Sequence, residues 1–104
     1  MIPSVGRIVH LKLSDSCADN INKRRNDAKV SKIASTNSGA MVHVGNDVRG
    51  GDIFPMIITR IWSENPDLNT AVNGQVFLDG NDLYWTTSVK QGTELGQWQD
   101  PRGE

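Results

Sequence analysis

Residues 71–89, AVNGQVFLDGNDLYWTTSV, decide the architecture. Two runs rich in β-branched and aromatic residues, Ala71–Leu78 and Leu83–Val89, flank Asp79-Gly80-Asn81-Asp82, and that pattern reads as a β-hairpin. Alternation along the second arm puts Leu83, Trp85, Thr87 and Val89 on one face, with Tyr84, Thr86 and Ser88 on the other. Upstream, Ile53–Trp62 (IFPMIITRIW) is the most apolar segment in the chain. Its apolar residues fall on both faces, as in a strand covered on both sides. Pro55 has no N–H to give, so this strand is expected to be irregular, or at an edge, near its start. Val5–Leu13 (VGRIVHLKL) reads as a first strand, with Val5, Val9, Leu11 and Leu13 on one face and Arg7 among them. Gly6, Ile8, His10 and Lys12 take the other face.

Between these strands lies a helix candidate. Ser14-Asp15-Ser16 supplies short side-chain oxygens for the free amides of a first turn, and Cys17–Ile33 contains no Pro or Gly. Ala18, Ile21 and Ala28 form a thin apolar stripe, and Asp19 and Lys23 are spaced i,i+4 with the acid first. Ser35–Gly39 reads as loop, Ala40–Val44 as a short strand, and Gly45–Asp52 as a turn-rich connection. The tail from Gln91 is polar, with Trp98 as its large apolar anchor. Five short strands with one helix inserted after the first predict an α+β fold: a small curled β-sheet or barrel, in one domain spanning residues 1–104.

Composition narrows the function. A chain of 104 residues with a net charge of −1 has no excess of positive charge for a strongly electrostatic, specific DNA binder. Residues 1–60 nevertheless hold nine of the eleven basic residues and five of the twelve acids. That asymmetry fits attraction within the fold or between copies, or a local basic site for an anion. No apolar run is long enough to span a bilayer. Cys17 is alone, and two histidines complete no metal-ligand spacing. With no phosphate-binding glycine loop and no nucleophile elbow, the chain reads as a non-enzyme that needs no cofactor.

The residues that point to binding are arginines and tryptophans. Arg24 and Arg25, with Lys23, Lys29 and Lys32, give the helix a basic surface that is either a solvated face or an anion contact. Arg7 and Arg60 each sit in register with apolar residues on a strand. They are either stems packed on the rim of the core or guanidinium forks for phosphate or carboxylate. Arg60 and Trp62, two apart, should share a face, with Arg7 near them if the first strand lies alongside. Trp62 and Trp85 are core residues or stacking platforms for a nucleobase. The set Arg7, Arg24, Arg25, Arg60, Trp62 and Trp85 is the candidate ligand-binding site.

Met1–His10 (MIPSVGRIVH), Phe54-Pro55 leading into Ile57–Trp62, Ala71–Gly80 (AVNGQVFLDG) and Gly96-Gln97-Trp98 resemble a family of small tailed-bacteriophage proteins without an assigned activity. The family pattern tends to close on Trp-x-Trp-Pro, where this chain has Trp98-Gln99-Asp100-Pro101. The resemblance implies phage origin and expression in the host cytoplasm. For a small non-enzymatic phage protein it implies two leading readings, with an inhibitor that binds a host protein directly as a third. One is an anti-defence sponge that sequesters a nucleotide immune signal at the subunit interfaces of a homo-oligomer. The other is a virion component, either a decoration or a head–tail protein.

Overall fold

The computed structural model describes residues 1–30 and 45–102. In chain order these form β1 (Ile8–Lys12), α1 (Asp15–Val30), β2 (Ile53–Ile61), β3 (Val72–Phe77), β4 (Leu83–Val89) and β5 (Trp98–Gln99). The five strands make one antiparallel sheet in the order β4-β3-β2-β1-β5. The expected hairpin is present, as β3 and β4. Its turn is followed by Asp82, which is buried.

The expectation of a curled sheet or barrel is corrected. Closing a barrel requires its two edge strands to pair with a consistent stagger. Here the edges are β4 and the two-residue β5, whose ladder is with β1; Trp98 adds a single isolated parallel bridge to Gln91, past the end of β4, and the sheet stays open. A two-residue strand offers too short a ladder to carry the sheet round to β4. The expected strand Ala40–Val44 lies outside the described residues. The tail supplies β5 through Trp98. Gly96, at φ +81, turns the chain into this strand, and Trp98 is fully buried against the core.

An open sheet has two faces, and α1 covers one of them. The helix begins at Asp15, two residues before the predicted start, because Ser14 caps it. The Ser14 hydroxyl accepts from the Cys17 amide at 3.2 Å, and its carbonyl accepts from Ala18 at 3.0 Å. Asp15 adds a negative charge at the positive end of the helix dipole. Ala18 and Ile21 are buried in one core cluster with Val9, Leu11, Leu13, Met56, Ile58, Val72 and Val76. No helix among the described residues is long and apolar enough to cross a membrane.

The next residue on this helical stripe, spaced three and then four from Ala18, is Arg25. It is 2% exposed, so its charge needs a partner inside the fold. Asp82 provides one, accepting from Arg25 Nη2 at 2.8 Å, from Arg25 Nε at 3.3 Å and from Arg24 Nη2 at 2.7 Å. Arg25 Nη1 also donates to the Asn46 carbonyl. A Cβ at Gly45 would stand 2.5 Å from Arg25 Nη2, so only glycine leaves room for the guanidinium there. Helix, hairpin end and the Gly45–Asn46 segment thus meet at one ion pair.

Burial alone would raise the Asp82 pKa. The hydrogen bonds and charges of Arg25 and Arg24 outweigh it and hold this carboxyl below the ordinary aspartate range. Replacing Asp82 by Ala leaves a buried cation unpaired and should cost about 3–5 kcal/mol, read as a lower midpoint in urea. An aspartate whose folded pKa is depressed contributes its stability fully above the unfolded value of ~3.9, and that stability is lost as pH falls through the folded value. Acid unfolding should therefore steepen below about pH 4 in the parent, with a shallower slope in Asp82→Asn.

Candidate functional site on the open face of the sheet

The face away from α1 follows from strand register. Ile8 pairs with Ile57, His10 with Pro55 and Lys12 with Ile53. Ile57 pairs with Gln75, Gln75 with Trp85, and Phe77 with Leu83. All of these alternate with the buried positions Val9, Leu11, Met56, Ile58 and Val76, so they project from the uncovered side.

Two irregularities, both opposite Asn73, shape one end of this face. In β2 the register shifts between Ile58 and Arg60, and in the β3–β4 ladder it shifts between Val72 and Gly74. The β2 bulge has a consequence for chemistry. On an unbroken two-residue period Arg60 would follow Met56 and Ile58 toward the helix; the extra residue turns it to the open face, paired with Asn73. The β4 bulge leaves Ser88 at φ +54, a conformation that β-strand residues seldom adopt. Its amide finds a partner in the Asn73 side chain, whose Oδ1 accepts from Ser88 N at 2.9 Å and from Trp62 Nε1 at 2.8 Å.

Asn73 is only 5% exposed, yet it fixes an exposed ring. The Trp62 indole is tethered through its N–H and remains half exposed, with the Arg60 guanidinium 4.0 Å from the ring centroid. A guanidinium stacked this way is held flat by the ring, while its in-plane N–H groups stay available for an anion. Among the described residues Arg60 makes no ion pair or hydrogen bond. Trp85, 60% exposed, stands on the same face. The open-face positions of the five strands include Lys12 and Arg60 but no Asp or Glu.

The six arginines and tryptophans singled out in the sequence therefore divide. Arg60, Trp62 and Trp85 share the open face. Arg24 and Arg25 are on the helix side, bound to Asp82, with Arg24 also 5.6 Å from the Tyr84 ring centroid. Arg7 is on the helix side too. Strand β1 does lie beside β2, but Arg7 is in step with Val9 and turns from Arg60 toward the buried carboxylate of Asp100, 3.9 Å away. Asp100 is shared with Arg102, at 2.9 Å. Lys29 and Lys32 lie where side chains are not described.

On the helix side Asn22, Lys23, Arg25, Asn26 and Asp47 line an open polar cleft of about 440 Å³. Its groups are largely engaged within the fold. Asn22 exchanges hydrogen bonds with both backbone groups of Val48, Lys23 faces Asp27, and Arg25 holds Asp82. Among the described residues no three His, Cys, Asp or Glu side chains converge on a point where a metal could sit.

Asn73 and Asp82 were not among the residues singled out. For Asn73 the available signal is weak: a polar, poor strand former between Val72 and Gly74. Replacing Asn73 by Ala removes the acceptor of a buried amide and of the indole. Stability should fall by ~1–3 kcal/mol in urea unfolding, with Trp62 becoming more mobile in fluorescence anisotropy when Trp85 is replaced by Phe to simplify the signal. Unchanged anisotropy would mean that Asn73 does not hold the ring.

No protein-family model matches the chain, and no curated protein or solved structure matches it.

Proposed function

We propose that this is a non-catalytic binding protein whose working surface is the open face of its sheet, and that its ligand is a nucleotide-type signal. The observation that carries the reading is the Arg60–Trp62 stack. It sets an uncompensated guanidinium beside a tethered aromatic ring, which offers a phosphate fork and a base platform on two adjacent side chains. Lys12 extends the positive character of the face, and Trp85 supplies a second ring. A sheet face has little concavity of its own, so the ligand is enclosed by a neighbouring subunit of a homo-oligomer. The resemblance to tailed-phage proteins sets this binding in the host cytoplasm, where holding a nucleotide immune signal would blunt host defence.

A virion role is the second reading, and the exposed aliphatic side chains Ile8, Ile53 and Leu83 favour it. Such residues suit contact with protein more than with a nucleotide.

Calorimetry against cyclic dinucleotides, cyclic trinucleotides and cyclic ADP-ribose isomers tests the first reading. At least one should bind, and Arg60→Ala should weaken it by ~1.5–3 kcal/mol, roughly ten- to over a hundredfold, through loss of a charge-assisted bond. The melting temperature without ligand should change little, since Arg60 is exposed. Silence across the panel, with the protein detected in purified particles, would replace this reading by the virion one.

A further inference from the structure

We infer that the apolar centre of the open face is the seat of a second copy of this chain, packed sheet face to sheet face. The inference rests on the reading of the open face as the working surface and not on the nucleotide. Ile8, Ile53, Phe77, Leu83 and Trp85 are each between 40% and 60% exposed, and Ile57 and Pro55 lie among them. Their exposed surface is on the order of 600 Å². That is the upper end of the patch a monomer ordinarily leaves in water, and close to the ~800 Å² per partner of a standard interface.

The order of residues across the face has the anatomy of an interface. The two central rows are Ile8-Ile57-Gln75-Trp85, and Gln99-His10-Pro55 continuing into Phe77-Leu83. Neither row holds a lysine, arginine, aspartate or glutamate. The cations stand at the two strand ends, Lys12 beyond one row and Arg60 beyond the other, where rim water reaches them. An uncharged, aromatic-bearing centre inside a charged rim is how protein interfaces are built. The outer surface of α1, with exposed Asp19, Lys23 and Asp27, shows how this same chain dresses a face meant for water.

A second copy fits this occupancy better than a helix or a peptide. The face is a multi-stranded sheet surface, and two such sheets pack at ~10 Å with their inner side chains interdigitated. Two-fold symmetry sets each apolar centre on the other and closes the assembly. Arg60 and Trp62 then lie at the margin of the shared layer, where the partner contributes a wall to the site.

Sedimentation velocity across the micromolar range, without ligand, decides the matter. The parent should sediment as a dimer. Trp85→Lys and Ile8→Lys should each weaken association about thirtyfold or more, with circular dichroism unchanged because both positions are exposed in the folded subunit. Lys23→Glu, on the helix surface, should leave the dimer intact. A parent that stays monomeric overturns the inference, and so does a dimer that survives both face substitutions. Arg60→Ala leaves the apolar centre intact and should remain dimeric, so nucleotide titration of that variant beside the parent reports separately on the ligand reading.

Discussion

A guanidinium taken out of water has to meet a negative charge, and in this fold Arg25 meets Asp82. The pair joins three segments far apart in sequence: the middle of α1, the start of β4 and the chain at Gly45–Asn46. Among the described side chains of the helix, Ala18 and Ile21 enter the core, with Cys17 packed against it. Hydrophobic burial alone would leave such a helix loosely placed. The ion pair fixes where along the sheet it lies, because a bidentate guanidinium–carboxylate contact accepts one geometry. Arg24 strengthens the same anchor from the neighbouring position.

Once the helix is fixed to one face, the other is left to a different task. Both bulges fall at the strand ends around Asn73, and together they re-aim side chains without disturbing the ladder between them. The result is a face of two characters. Its centre is uncharged and apolar; its end holds an arginine stacked on a ring that a buried amide keeps in place. On the proposed reading, self-association and ligand capture would use adjoining parts of one surface, with the helix side serving as scaffold.

Much of the fold was legible because local signals dominate there. The hairpin at 71–89 carries its own turn, the first strand alternates, and the Ser14 cap announces the helix. Closure of the sheet was not legible, because it depends on which strands become edges, and no short stretch of sequence encodes that. The site shows the same division. Arg60 and Trp62 share a face as their spacing implies, but a bulge at Thr59 chose which face. Arg25 reads as one more cation on a basic helix until the fold places a carboxylate against it. Arg7 fell on the wrong side for the same reason that it looked interesting: it keeps step with the apolar residues of β1, and that step leads to the helix side and Asp100.

The sheet has one covered and one open face, and the three tryptophans report on both. Hydroxyl-radical footprinting over a dilution series, read by mass spectrometry, measures each ring separately. At the lowest concentration Trp62 and Trp85 should oxidise rapidly while Trp98, fully buried on the helix side, stays intact. Protection of Trp85 should then rise with concentration as copies cover the open face. Trp85 as protected as Trp98 at the highest dilution, or Trp98 oxidised as fast as Trp85, would contradict the account.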